Sequence, residues 1–398
     1  MHDVVVVGAG PVGTHAARLL AAAGHDVLVL EEHPVVGNPV QCAGLVTTRV
    51  FDHAPFAVGE LWQNDLRGAI VHAPNGDKIS FDAGRPRALA MDRGGFDREM
   101  ARHAAMAGAD IRTSTKAVAV KVGTEHAAIT VQEDGARREV HAKMVIGADG
   151  IRSNVARWSG LPPVQEVVSC YEAELDGCTI PDPGMIPMFA GHAKAPGFFS
   201  WIIPVGGDRA RAGLAVAPGM NEVAAKRYYE RMFTDPLSRP YLAAARESHL
   251  IIGGIPLGLR PRLVDDRVAV VGDAAGMAKP TSGGGIHTGM VAAEHLARVV
   301  SRGLAKDRLD AGSLFAYQRA VAKTVAPELR RGDLLRKMYT QFSDADFDHL
   351  ATLLATPRCR NIIESIGDID YPSRLVWPLI RAQPRLAGLF LRMMLEAP

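Results

Sequence analysis

The sequence has few cysteines, almost no net charge and no long hydrophobic run, and each absence excludes a class of protein. Its four cysteines, at Cys42, Cys170, Cys178 and Cys359, form no CxxC pair. A metal site is therefore not expected, and a reduced, cytoplasmic environment is the simpler interpretation. A net charge of +2 argues against nucleic acid as a partner. No run of about 18 apolar residues occurs, so no membrane-spanning helix is expected.

The apolar run at 4–7 is too short for a secretion signal and leads directly into glycines. We therefore expect a cytoplasmic protein, which could still lie against the inner surface of the membrane. Hydrophobic residues make up 47% of the chain and charged residues 22%, which is ordinary for a globular protein. The 398 residues allow two domains, or one large α/β body with an inserted sheet.

The first informative pattern is a glycine-rich turn near the start of the chain. The run at 4–7 has the length and the β-branched residues of a strand. A GxGxxG pattern follows at once, with its glycines at Gly8, Gly10 and Gly13. An alanine- and leucine-rich helix and a second strand at 27–30 complete a predicted βαβ unit, and Glu31 stands at its end.

This unit has the residues that a dinucleotide needs. Gly8 permits a tight turn, Gly10 lets a diphosphate approach backbone amides, and Gly13 lets helix and strand pack closely. The carboxylate of Glu31 would accept ribose hydroxyls and repel a 2′-phosphate. The alternative is a chance glycine turn with a solvated glutamate, but the strand–turn–helix–strand context favours the dinucleotide site.

Three further elements have two interpretations each. Arg93, just before a helix that starts near Phe96, could pair with a diphosphate or be a surface arginine. Asp273, after Gly272, could bind a ribityl hydroxyl or cap a turn. The glycines at 283–285 open a long helix, and beside an isoalloxazine they would stabilise the anion of a reduced flavin. Otherwise they form a flexible loop.

In their order along the chain, these motifs resemble the para-hydroxybenzoate hydroxylase-like FAD superfamily. The shared motifs are GAGPVG at 8–13, Glu31, Arg93 with Phe96-Asp97, GADG at 147–150, and Gly272-Asp273 with Pro280. Within that superfamily, PVQCAG at 39–44 and FSWIIP at 199–204 are similar to the geranylgeranyl reductase family. That family saturates prenyl double bonds in archaeal membrane lipids and in chlorophyll and quinone side chains.

The resemblance implies an FAD-dependent oxidoreductase that acts on CH–CH groups and saturates isolated double bonds of geranylgeranyl chains in archaeal-type membrane lipid precursors. The implied partners are a prenylated lipid and an electron donor, either a ferredoxin-like protein or a reduced nicotinamide. The cofactor contacts are then expected at Gly8, Gly10, Val12, Gly13, Glu31, Cys42, Ala43, Gly44, Arg93, Ala117, Asp273, Gly285 and Ile286. Phe199, Trp201 and Pro204 are expected in the substrate pocket.

Cys42 is the candidate catalytic residue. Near a flavin its thiol could donate a proton or react covalently, or it could pack as a small hydrophobe. Trp201 is better read as a pocket wall, because indole does not exchange protons usefully at neutral pH. The family's aromatic strand has Tyr and Phe where this chain has Phe199 and Ile203, and its later Gly-x-Gly is Gly-Leu-Ala at 213–215. These departures leave the exact substrate open.

Other functions stay open from the sequence. A flavin monooxygenase that hydroxylates an aromatic ring shares the GxGxxG and Gly-Asp signatures, and a lipid-binding flavoprotein could hold FAD structurally. The stretch 374–398 has apolar residues at helical spacing with arginines among them. It could lie on a bilayer surface or simply pack against the protein.

The predicted fold class is α/β, with a Rossmann-like FAD-binding domain, an inserted antiparallel-sheet substrate domain and a helical C-terminal region. The predicted bounds are 1–60, 85–160 and 250–310 for the FAD-binding domain, 61–84 and 161–249 for the sheet domain, and 311–398 for the helical region.

Overall fold

The computed structural model describes residues 1–220 and 222–396, with side chains as far as residue 392; the end of the predicted helical region, 397–398, lies outside these residues. The strands are β1 (His2–Val7), β2 (Val27–Leu30), β3 (Leu45–Val46), β4 (Trp62–Leu66), β5 (Gly68–His72), β6 (Lys78–Asp82), β7 (Ala88–Met91), β8 (Asp110–Arg112), β9 (Lys116–Val122), β10 (Ala127–Glu133), β11 (Ala136–Gly147), β12 (Glu166–Asp176), β13 (Met185–Phe189), β14 (Ser200–Gly206), β15 (Arg209–Val216), β16 (Arg246–Leu257), β17 (Val264–Asp265) and β18 (Val268–Val270). The α-helices are α1 (Pro11–Ala22), α2 (Val50–His53), α3 (Arg93–Met106), α4 (Asn154–Trp158), α5 (Ala225–Met232), α6 (Arg239–Leu242), α7 (Ile286–Ala305), α8 (Ala311–Thr324), α9 (Ala326–Tyr339), α10 (Asp344–Leu354), α11 (Pro357–Ile366), α12 (Val376–Ala382) and α13 (Arg385–Glu396). Short 3₁₀ helices lie at Gly59–Leu61, Gly272–Ala275 and Pro372–Leu375.

An eight-stranded sheet contains the predicted βαβ unit, which is confirmed. Its main path runs β17-β18-β11-β1-β2-β8, and β10 and β9 extend it from β11. β1 is parallel to both β2 and β11, with Val4 opposite Val27 and Met144. The β-branched residues of β1 and β2 are buried, as expected for a parallel sheet covered on both faces.

A seven-stranded sheet runs in the order β16-β12-β15-β14-β13-β5-β6. Its pairs are antiparallel except β13 with β5, which are parallel. Two of its limits differ from the predicted domain bounds. β16 pairs along the whole of β12, so residues 250–257 belong to this sheet. β4 instead joins β3 and β7 in a separate three-stranded sheet.

The region after α7 is helical, as predicted. Leu386 and Leu389 of α13 are buried, and Leu389 packs with Met338 and Phe342. Part of the apolar face at the C-terminal end therefore covers the body of the protein. Among the described helices, none has the length and apolar character needed to cross a membrane.

Candidate functional site

A cavity of about 770 Å³ is lined by residues of both large sheets and of the segment 363–375. This volume lies in the range of about 300–1,000 Å³ that is typical of sites for small molecules and cofactors. The parallel sheet contributes the ends of its strands, where ligands bind in open α/β sheets. The seven-stranded sheet contributes one face of β12 and β14.

The glycine turn between β1 and α1 forms part of the cavity wall. Gly8 has a φ of +103°, and a Cβ there would collide with the carbonyl of Ala148. A Cβ on Gly13 would collide with the carbonyl of Gly8. At Gly10, in contrast, none of the described atoms lies within 4 Å of the Cβ position. The turn is therefore closed toward the protein and open toward a ligand at the start of α1, where free N–H groups attract anions.

Glu31 stands beside this turn. Its Oε2 accepts the backbone N–H of Ala9 at 2.9 Å. Its Oε1 accepts the backbone N–H of His33 at 3.0 Å and lies 2.7 Å from His33 Nδ1. These bonds fix the orientation of the carboxylate, and a carboxylate has about four acceptor sites. Glu31 can therefore also accept a ribose hydroxyl.

The guanidinium of Arg93 is paired with the carboxylate of Asp97 on the same helix, α3. Its Nε and Nη2 donate to the two carboxylate oxygens of Asp97 at 3.1 and 3.0 Å, so this edge of the guanidinium is occupied. Burial acts to lower the pKa of Arg93, but Asp97 and Cys42 raise it above its ordinary value. Burial raises the pKa of Asp273, and Arg93 opposes that shift. Arg93 therefore keeps its positive charge at the cavity wall.

The glycines before α7 lie between the carboxylate of Asp273 and the ammonium of Lys279. Gly285 caps α7 without a side-chain hydrogen bond. A Cβ on Gly285 would lie 2.8 Å from Oδ1 of Asp273, and a Cβ on Gly284 would lie 3.1 Å from Cε of Lys279. Larger residues would displace these charged groups. The positive end of the α7 dipole and the Lys279 ammonium therefore meet at one place in the cavity.

Asp370 ties the C-terminal segment to that place. Its carboxylate binds Lys279 Nζ at 2.5 Å, Thr47 Oγ1 at 2.5 Å and Arg49 Nη1 at 3.0 Å. Burial acts to raise the pKa of Asp370, but Lys279 and Thr47 lower it to about 2. Asp370 is therefore ionised at neutral pH and balances the buried ammonium.

The loop that carries Cys42 is held by Arg211 of β15. Arg211 Nη1 donates to the carbonyl of Ala43 at 2.8 Å. Gly44 has a φ of +64°, and its N–H donates to Cys42 Sγ at 3.5 Å. Cys42 and Ala43 line the cavity, and Cys42 is half-buried. The arginine thus fixes this loop between the FAD-binding part of the chain and the seven-stranded sheet.

The apolar wall comes from β14 and the residue before it. Phe199, Trp201 and Ile203 line the cavity. Side chains alternate along a strand, so Ile202 packs on the opposite face of the sheet, and Pro204 shares its direction. The predicted pocket residue Pro204 therefore lies outside the lining; its carbonyl accepts a hydrogen bond from Asn64 at 3.1 Å.

Glu172 is a buried carboxyl group on the same wall. Gly213 is the cross-strand neighbour of both Glu172 and Trp201. A Cβ on Gly213 would lie 2.7 Å from the Cβ of Glu172. Because Gly213 has no side chain, the indole reaches across it, and Trp201 Nε1 donates to Glu172 Oε2 at 2.6 Å. Burial raises the pKa of Glu172 to about 7, against the opposite effects of Trp201 and Arg211.

The cavity brings most of the predicted site residues together. Those that line it are Gly8, Gly10, Val12, Gly13, Glu31, Cys42, Ala43, Arg93, Ala117, Phe199, Trp201, Asp273, Gly285 and Ile286. Gly44 and Pro204 are not among the lining residues. Glu172, Lys279 and Asp370 also line the cavity and were not predicted from the sequence. Only Lys279 had a signal, since it directly precedes Pro280 of the glycine-rich segment.

Comparison with known proteins identifies the family. The family described as FAD binding domain matches residues 1–320. A digeranylgeranylglycerophospholipid reductase of Methanocaldococcus jannaschii is 30% identical over 394 residues, which cover 98% of this chain and 97% of the relative. The chain belongs to the geranylgeranyl reductase family. A digeranylgeranylglycerophospholipid reductase 2 of Methanothermobacter thermautotrophicus is 31% identical to this reductase, over 94% of this chain and 98% of the relative.

A solved structure shows the same fold. The reductase superposes on a geranylgeranyl bacteriochlorophyll reductase-like protein of Thermoplasma acidophilum with a TM-score of 0.88 and 23% identity, over 98% of this chain and 99% of the other. The predicted family, fold class and cofactor are confirmed. The protein is an FAD-dependent oxidoreductase.

The site's own residues fit FAD. The space at Gly10 suits a diphosphate, because it borders the open N–H groups of α1. The oriented carboxylate of Glu31 suits an unphosphorylated ribose. The start of α7 offers unhindered N–H groups and a positive dipole end for a flavin that gains negative charge on reduction.

Proposed function

We propose that this reductase saturates isolated double bonds of geranylgeranyl chains in archaeal-type membrane lipid precursors. The observation that carries the proposal is the continuity of one cavity, in which the glycine turn and Glu31 form one wall and Phe199 and Trp201 form another. A cavity with both walls brings a dinucleotide cofactor and an apolar chain into contact. The relatives named above, which are digeranylgeranylglycerophospholipid reductases, support this substrate class.

Within this proposal each wall holds a different part of FAD. The glycine turn would hold the diphosphate, Glu31 the adenosine ribose and Asp273 the ribityl chain. The turn before α7, with Gly285 and Ile286, would hold the pyrimidine edge of the isoalloxazine. Val12, Ala43, Arg93 and Ala117 supply the remaining contacts that line the cavity.

Reduced FAD, when bound in this cavity, would supply a hydride equivalent to an alkene. An isolated double bond has no carbonyl that the protein could polarise, so orientation and exclusion of water must provide much of the rate. The rings of Phe198 and Phe199 stack with centroids 4.5 Å apart, and Phe199 meets Trp201 edge-on at 5.7 Å. This continuous aromatic surface supports one side of the substrate's prenyl chain and keeps water away from it.

Cys42 remains a candidate catalytic residue of the site. It lies at the cavity wall, and its interaction with Arg93 links it to the FAD-binding part of the chain. It serves either as a proton donor or as a packing residue that shapes the wall. A slow rate in Cys42→Ser would assign it the first role, and a wild-type rate the second.

The reductant comes from outside the cavity. The sequence has one GxGxxG pattern, which the proposed FAD site uses. We therefore infer that a ferredoxin-like protein or a reduced nicotinamide binds transiently and reduces the flavin between turnovers.

The lipid substrate also requires access to a bilayer. Trp377 and Leu391 in the C-terminal helices expose 70% and 58% of their surface, although Leu386 and Leu389 are buried nearby. Arg374 and Arg381 are exposed in the same region. Apolar and basic side chains together favour the headgroup region of an anionic membrane. The proposed contact is peripheral, at the inner membrane surface.

The decisive experiment is mass spectrometry of a digeranylgeranylglycerol phospholipid after anaerobic incubation with dithionite-reduced protein. We expect a gain of two mass units for each double bond reduced. Boiled protein with dithionite is the control. An unchanged lipid would contradict the proposal. Oxygen uptake coupled to NAD(P)H oxidation with an aromatic substrate would support a monooxygenase instead.

A further inference from the structure

One buried carboxyl group that lines the cavity, Glu172, is not among the residues assigned to FAD. Glu172 exposes 3% of its surface, and its Oε2 accepts the Trp201 indole N–H at 2.6 Å. Its Oε1 is buried and has no hydrogen-bond partner among the described residues. An unpartnered oxygen on a buried side chain is unfavourable unless a ligand or a reaction uses it.

The surroundings of Glu172 favour the neutral carboxylic acid. On the same face of its own strand, the titratable neighbours of Glu172 are Cys170 and Glu174. On β15 the neighbouring cation is Arg211, whose Nε is bound to Glu174 at 2.8 Å. On β16 the residue opposite is the apolar Ile251. Burial raises the pKa of Glu172 to about 7, so a large fraction is protonated at neutral pH.

Other titratable groups of the cavity are less suited to give up a proton there. Burial raises the pKa of the Cys170 thiol to about 12. Asp273 lies beside Gly285, at the end of the cavity assigned to the cofactor. Lys279 is bound to Asp370, and Asp149 accepts hydrogen bonds from Ser153 Oγ and the Val155 N–H. Glu172 is the acid that shares a wall with Trp201.

We propose that Glu172 is the catalytic acid that protonates the substrate double bond, an inference that rests on the proposed function. As the π bond breaks, one carbon receives a hydride equivalent, with its electron pair, from reduced FAD. The other carbon receives the proton from Glu172 Oε1, which leaves the carboxylate. Trp201 holds the carboxyl group throughout, and a solvent proton restores the acid after the saturated product leaves.

The role of Glu172 explains the glycine at position 213. The indole of Trp201 crosses the position of this glycine to reach Glu172. A side chain there would separate the donor from the acceptor and would press on Glu172. The glycine therefore permits the hydrogen bond that orients the acid.

The first test needs no substrate. The ordinary pKa of the carboxyl group is 4.5, and that of Glu172 in the fold is about 7. Between these values the folded protein binds more protons than the unfolded chain, so the stability that Glu172 contributes falls as pH rises. Glu172→Gln keeps an acceptor for Trp201 and cannot ionise. We expect its melting temperature to gain on the wild type between about pH 5 and about pH 8. A difference that does not change with pH would overturn the neutral-acid assignment.

The second test measures anaerobic single-turnover reduction of the prenylated phospholipid. We expect Glu172→Gln to slow reduction by about 10²–10⁴-fold with unchanged FAD content, as for loss of a general acid. Glu172→Asp should recover part of the rate. Asp176→Asn, which removes an exposed carboxylate from the end of the same strand, should retain the wild-type rate.

The outcomes separate this proposal from the function on which it rests. A wild-type rate for Glu172→Gln would overturn the role of Glu172. Slow reduction by Cys42→Ser with a wild-type rate for Glu172→Gln would assign proton donation to Cys42 instead. If the wild type leaves the lipid unchanged, the proposed function fails and the assignment falls with it, whatever the melting temperatures show.

Discussion

Glu31 illustrates how a single side chain can select a cofactor. Its carboxylate is held by the backbone N–H groups of Ala9 and His33, next to the glycine turn. We expect Glu31→Arg to lose FAD, because it removes the ribose acceptor and places a bulky cation in the site. Flavin absorbance per protein measures the effect. The control is Glu139→Arg, an exposed carboxylate on β11 of the same sheet. Full FAD content in Glu31→Arg would contradict the assignment.

A substitution at Gly284 is expected to change the reduction potential of the flavin rather than the amount of FAD bound. A Cβ there would lie 3.1 Å from Cε and 3.3 Å from Nζ of Lys279. We expect Gly284→Val to displace the ammonium and to lower the flavin potential, since the reduced anion loses stabilisation of about 1 kcal/mol. A dye-coupled redox titration measures the shift. Lys279→Met should shift the potential in the same direction.

An unchanged potential at full FAD occupancy in both variants would place this turn away from the isoalloxazine. A colourless Gly284→Val protein would show instead that the turn is needed for binding itself. The potential of Lys279→Met would then decide the electrostatic role.

At the scale of elements, Asp370 joins the segment after α11 to the start of the α7 region. It is ionised and bound to Lys279, Thr47 and Arg49. We expect Asp370→Asn to lower the free energy of unfolding by about 3–5 kcal/mol near neutral pH, because it leaves a buried ammonium unpaired. Urea denaturation measures this change. Glu99→Gln, which breaks an exposed pair with Arg102, should have little effect.

The same variant has a defined pH dependence. The pKa of Asp370 is about 2 in the fold and 3.8 as the ordinary value. A lowered pKa contributes stability that is present above 3.8 and is lost as pH falls toward 2. The difference between wild type and Asp370→Asn should therefore shrink over that interval. A difference that stays constant would contradict the ion pair.

For the whole molecule, the question is where it meets a bilayer. Removing residues 374–398 would also uncover Met338 and Phe342, which pack with Leu389. The sharper variant is Trp377→Ala with Leu391→Ser, because both side chains are largely exposed. We expect it to weaken binding to anionic vesicles about tenfold or more in co-sedimentation, with normal FAD content.

Trp62→Ala is the matched control, because Trp62 exposes 47% of its surface outside the C-terminal region. Equal vesicle binding by the double variant and the wild type would refute the C-terminal contact. Loss of binding in Trp62→Ala as well would indicate a general effect of exposed tryptophan.

Residue spacing along the chain was enough to predict the βαβ unit, the glycine turn and the position of Glu31. Each depends on residues within about thirty positions, where the spacing of strand, turn and helix dictates the geometry. The alternation of side-chain direction along β14 could also have been predicted from the sequence, and it explains why Pro204 faces away from Trp201.

Contacts between residues that are far apart in the sequence could not be predicted in this way and depend on how the chain packs. Lys279 and Asp370 are 91 positions apart, and Trp201 and Glu172 are 29 apart on strands separated by β15. No local pattern encodes such pairs, because they depend on strand order and on how the C-terminal segment packs. Burial acts to raise the pKa of both carboxyl groups, but Lys279 and Thr47 overcome this effect at Asp370, so Asp370 is ionised and Glu172 has a raised pKa.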